Sequence, residues 1–116
     1  MNKLLSYLLS LTSLFLFVGF VYAEEPEVSR EYWDNGKLKK ETYYQNAKEE
    51  GVVTVWYKNG QKQTKGHYKQ GRLNGLLSLW YQNGKKMSET SFINDKEEGF
   101  ATSWYISGEK RQDINY

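Results

Sequence analysis

Cysteine is absent from the 116 residues. That excludes disulfides, thiolate metal sites and a lipid anchor on a cysteine behind a signal segment, so packing and strand pairing must hold the chain together. Proline is almost absent: Pro26 is the single one, and nothing downstream of it carries the missing N–H that disqualifies a central strand. An excess of one charge is lacking as well. Leaving out Lys3, the 16 basic residues become 15 against 14 acidic ones, a net charge of +1 without clustering, which argues against nucleic acid as a partner. The lysines stand one or two at a time around turns and on strand faces, the pattern of a solvated surface with guarded sheet edges. Helical periodicity is missing after residue 23, and the length suffices for one domain.

The one long apolar run lies at the amino terminus. Lys3 is followed by an apolar stretch from Leu4 to Val21, broken only by Ser6, Ser10, Thr12, Ser13 and Gly19. This is the profile of a signal peptide over residues 1–23, with Val21 and Ala23 as the small residues of a cleavage site and an acidic mature start at Glu24, Glu25 and Glu27. An uncleaved anchor is the alternative, because a run of ~18 apolar residues can span a bilayer; membrane contact is expected only in that case. The chain then divides into a signal peptide 1–23, a short linker 24–30 and a repeat domain 31–116, exported to the periplasm or the extracellular space.

What is present is a repeat. Tyr32-Trp33-Asp34-Asn35-Gly36, Trp56-Tyr57-Lys58-Asn59-Gly60, Trp80-Tyr81-Gln82-Asn83-Gly84 and Trp104-Tyr105-Ile106-Ser107-Gly108 begin at intervals of 24 residues without a gap. Gly51, Gly75 and Gly99 keep the same step, as do Tyr44, Tyr68, Phe92 and Tyr116, and Lys48, Arg72 and Lys96. Asn-Gly between β-prone runs is a hairpin signal, because a type I′ turn needs positive φ at both central residues. The tips are therefore expected at Gly36, Gly60, Gly84 and Gly108, with return turns at Lys69-Gln70-Gly71-Arg72 and Ile93-Asn94-Asp95-Lys96. One repeat becomes two strands, roughly 51–58 and 61–68.

A two-residue loop at Asn59-Gly60 predicts that Lys58 faces Gln61, Tyr57 faces Lys62, Val55 faces Thr64 and Val53 faces Gly66. One face then collects Trp33, Leu38, Tyr44, Val53, Val55, Tyr57, Tyr68, Leu77, Leu79, Tyr81 and Phe92, and is expected to be buried. The other carries Trp56, Trp80 and Trp104 with Glu41, Lys65, His67 and Glu89. Its tryptophans recur about every 9 to 10 Å, two strand spacings apart. They either brace the sheet or form a binding platform. With no second layer in the sequence, apolar surface is left for a partner, which a second copy could supply through the sheet edges.

The pattern Trp-Tyr-x-Asn-Gly with a Tyr eight residues after the glycine, then a turn, a basic residue and another Gly, resembles the bacterial variant of the MORN repeat, and the YwqK-type antitoxins within it. The resemblance covers residues 31–116 and implies an all-β fold, a single elongated, twisted antiparallel meander of stacked hairpins. It implies association with membranes, lipids or protein partners as a scaffold, and carries over no catalytic residues. Ala47 where Gly71 stands, and Ser107 in the last tip, depart from the pattern as the caps of a repeat array do.

No catalytic set can be assembled. His67 lacks a nucleophile and an orienting carboxylate, and its column elsewhere holds Tyr43, Ser91 and Asn115. Glu41 and Glu89 share a column but would stand about 19 Å apart, too far for a glycosidase pair; ion pairing with neighbouring lysines accounts for them better. Glu49-Glu50 and Glu97-Glu98, read as turn residues, lack the spaced oxygens of a cation loop. The expectation is a non-enzymatic, cofactor-free and metal-free exported module that binds a protein or envelope component through its sheet face or edge. An antitoxin or immunity function is the alternative.

Overall fold

The computed structural model of the protein describes residues 25–116; the signal peptide expected over residues 1–23, with its cleavage site, lies outside the described residues. Eight strands follow in chain order: β1 (Glu27–Tyr32), β2 (Leu38–Gln45), β3 (Lys48–Trp56), β4 (Lys62–Lys69), β5 (Arg72–Trp80), β6 (Lys86–Ile93), β7 (Lys96–Trp104) and β8 (Lys110–Asn115). Each pairs antiparallel with the next in one open sheet, so the all-β meander of hairpins is confirmed. β1 begins at Glu27; the stretch 24–30 is thus not simply a linker, and the sheet starts inside it. Glu49-Glu50 and Glu97-Glu98 likewise lie on β3 and β7 rather than in turns.

The turn chemistry is the reverse of the expectation. At the tips only the glycine has positive φ, as in Gly60 at 90°. Gly60 N–H donates to Tyr57 O at 3.0 Å and Tyr57 N–H to Gln61 O at 2.8 Å, which is a three-residue loop, a type I turn closed by a glycine bulge. The asparagine decides this. Asn59 Oδ1 accepts the N–H of Gln61, two residues on, at 3.0 Å, and this local bond holds the residue in the turn without a left-handed backbone. The two-residue loops with positive φ at both positions are the return turns, Asn46-Ala47 (51° and 60°), Gln70-Gly71 (51° and 78°) and Asn94-Asp95 (48° and 68°).

The longer tip shifts the register by one residue, and the shift is undone at once. Trp56 opposes Lys62, where Tyr57 was expected to, yet Val55 opposes Thr64 and Val53 opposes Gly66 as predicted, because the register slips between Val55 and Trp56. Without that slip every side chain below the tip would change face. A larger irregularity sits toward the return turns: Gly66 opposes Leu77 while Tyr68 opposes Leu73, so β5 carries extra residues there. Gly75 lies within this bulge with φ of 126°.

The buried face did not materialise. Among the described residues no apolar side chain is fully buried; the buried positions are Thr42, Thr54 and Ser78, with Gly66. Val53, Val55, Leu77 and Leu79 are only half-buried. The reason is the single layer: the sheet measures 11 Å across its thinnest dimension, about the distance at which a second sheet would begin. Small residues become buried where longer side chains of the same and the neighbouring strand lean over them. Gly66 is the clearest case, lying under Tyr68, Leu73 and Leu77, whose atoms would stand 3.1 to 3.3 Å from an added Cβ.

Candidate functional site

Without a core, cohesion comes from one repeat gripping the next. Tyr57 Oη donates to Trp80 O at 2.6 Å and Tyr81 Oη to Trp104 O at 2.8 Å. In the first repeat the aromatic pair is inverted, and the indole Nε1–H of Trp33 takes the same role toward Trp56 O at 3.2 Å. The tip asparagines reach forward as well: Asn35, Asn59 and Asn83 Nδ2 donate to Lys58 O, Gln82 O and Ile106 O at 2.9 to 3.1 Å. Each asparagine therefore shapes its own turn and ties it to the following one. Ser107 stands in the last tip of the described residues, where no following tip offers a carbonyl; its Oγ accepts from Glu109 N–H at 3.4 Å.

The three tryptophans of the candidate face are brought into one row, but not against each other. The cross-strand partner of each is a lysine: Trp56 opposes Lys62, Trp80 opposes Lys86 and Trp104 opposes Lys110. Lys62 Nζ lies 5.9 Å and Lys86 Nζ 5.7 Å from the centre of the Trp80 ring, so a cation flanks this indole on either side. Each such contact contributes about 0.5–1 kcal/mol at an exposed site. The tryptophans are half-buried. The lysine column was missed in the sequence, although Lys62, Lys86 and Lys110 carry the 24-residue step as plainly as the tryptophans do.

A second row crosses the same face beneath the first. Arg30, Glu41, Thr54, Lys65, Ser78, Glu89, Thr102 and Asp113 are successive register partners where the strands pair directly or share a column. Arg30 Nε bonds Glu41 Oε2 at 2.8 Å, and this carboxylate raises the arginine pKa further. Glu89 pairs with Lys86 at 3.1 Å. The two glutamates are thus neutralised separately, by an arginine and a lysine. Asp113 is held below the usual carboxylate range by the Thr102 hydroxyl and then by Lys110. His67 Nδ1 lies 3.0 Å from Leu76 O; since a carbonyl only accepts, that nitrogen carries the proton. The imidazole is half-buried and packs against the bulge rather than standing free on the surface.

Burial, with Glu49 and Asp95 nearby, pushes the Tyr68 hydroxyl above its ordinary value of 10.0, and a hydrogen bond to Glu97 does the same to Tyr116. A raised folded value means that the protonated form is favoured by folding. The contribution is fully present below the unfolded value and is lost as pH rises through the folded one. The urea midpoint is expected to fall above pH 10, and Tyr68→Phe to fall less steeply; equal slopes for both proteins would contradict the assignment.

The arrangement described, hairpins in register with aromatic-Asn-Gly tips, matches the model of a repeat family. The description is MORN repeat variant, and the matched stretches are residues 28–46, 49–70 and 73–94. The chain belongs to this family. The matched stretches correspond to the hairpins β1–β2, β3–β4 and β5–β6, while β7–β8, with its serine tip, falls outside them. Searches of curated proteins and of solved structures returned no match. MORN repeats are generally protein- or membrane-interaction modules and generally non-catalytic.

Proposed function

We propose that the protein is a non-enzymatic exported interaction module that holds a protein or an envelope component on the face bearing Trp56, Trp80 and Trp104. The observation that supports this reading is the alternation of indole and ammonium across that face. Indole rings offer flat apolar area at little entropic cost, and lysines between them offer charge to a carboxylate or phosphate. A row of this kind follows the sheet across successive repeats, so an elongated ligand would meet the same chemistry at each step of about 9 to 10 Å.

The test compares the two faces directly. A photoreactive residue is introduced at Lys65, beside the tryptophan row, or at Thr64 on the opposite face, and the protein is illuminated with envelope extract. A defined adduct from position 65 and none from 64 is expected. Absence of any adduct from position 65 would overturn the reading.

A further inference from the structure

Exposure of large apolar side chains is confined almost entirely to the two ends of the sheet. Of the seven such residues among the described ones, Val28 and Tyr32 lie at the β1 end and Phe100, Tyr105, Ile106 and Tyr116 at the β8 end; only Ile93 lies elsewhere. All of these end residues but Ile106 have half-buried counterparts one repeat inward. Tyr32 is 60 % exposed and Tyr105 52 %, whereas Trp56, Trp80, Tyr57 and Tyr81 are half-buried. Tyr105 occupies the column whose other members donate to the next repeat, and no further tip follows it among the described residues. At the other end the carbonyls of the first tip correspond to those that accept such bonds elsewhere.

The charges at the two ends are complementary at one register. Continuing the pairing of β4 with β5 past β8 by the 24-residue step would bring Gln112 opposite Glu31, Asp113 opposite Arg30 and Ile114 opposite Ser29 of another chain. Asp113 and Arg30 would then continue the central row of register partners from one chain into the next. The same step sets Lys110 beside Tyr32 as Lys62 stands beside Trp80. We propose that the partner of these ends is a second copy of this chain, its β1 adding antiparallel to β8 so that the sheet runs on head to tail. Such a contact is heterologous and generates an open array rather than a closed dimer. β1 and β8 have six residues against eight or nine elsewhere. Shortness discourages indiscriminate edge pairing, and the Asp113–Arg30 match selects the register. The contact leaves the tryptophan face open, so it stands or falls independently of the ligand proposed there.

The absence of cysteine makes the test free of background. Glu31→Cys and Gln112→Cys, both at exposed positions, are made separately in the full chain, mixed in equal amounts and mildly oxidised. Directly opposed strand residues have the Cα separation a disulfide requires. A disulfide-linked pair is expected from the mixture and not from either variant alone, and a ladder of multimers from the chain carrying both. Adding Asp113→Arg to the Gln112→Cys chain should lower the yield at least about tenfold, and adding Arg30→Asp to its partner should restore it. Linked pairs from one variant alone would mean like edges meet, and no linkage at Glu31 with Gln112 or at the second pair, Ser29→Cys with Ile114→Cys, would mean the ends do not meet. Either result overturns the proposal. Circular dichroism of each variant checks that the sheet is intact.

Discussion

Gly75→Val is expected to cost about 3 kcal/mol, read as a lower urea midpoint at unchanged slope. Two effects add at this position. The backbone has φ of 126°, outside the left-handed region that other residues visit, and a β-branched residue there is strained by about 1–3 kcal/mol. A Cβ would also stand 3.1 Å from His67 Cβ, the stiff root of a side chain anchored to Leu76 O. Gly36→Asn is the contrasting change. Its φ is 81° with nothing within 4 Å of an added Cβ, and asparagine tolerates such a backbone, so a loss under about 1 kcal/mol is expected. If both changes cost the same, the bulge is not a constrained element.

Tyr57→Phe with Tyr81→Phe is expected to remove about 2 kcal/mol together, about 1 for each lost hydroxyl bond. The two hydroxyls are one repeat apart, about 9 to 10 Å by strand spacing, far enough for their effects to add. A second consequence follows from the architecture. In a repeat array cooperativity resides in the contacts between neighbours, and these bonds span 23 residues from one repeat to the next. The double variant should unfold over a broader range of denaturant, followed by tryptophan emission. A variant as stable and as cooperative as the parent would show that the hydroxyls carry none of the coupling.

The 24-residue period was enough to determine the strand count per repeat, the order of strands, the side-chain faces and the central register, because Val53–Gly66 and Val55–Thr64 depend on hydrophobic alternation and on where a turn lies, not on its type. The turn types themselves were not legible. Asn-Gly suits a type I′ loop, but Asn59 finds a partner in the N–H of Gln61, and its amide reaches Gln82 O in the next repeat, a contact that exists only once two hairpins lie side by side. Burial was misjudged for a related reason. Alternation in Val53 and Val55 says which way side chains point and nothing of whether another layer covers them.

The tryptophan row was half legible. Trp56, Trp80 and Trp104 share a face by their spacing alone, yet the lysines that separate them arrive there through the three-residue tip and the slip at Val55 and Trp56. Local chemistry thus determined a repeating hairpin and the family it belongs to. Tertiary structure decided what touches what: asparagines and tyrosines that lock repeat to repeat, and cations between the indoles. The asparagine and tyrosine bonds join residues 23 positions apart, and only the register of the assembled sheet brings such residues within bonding distance.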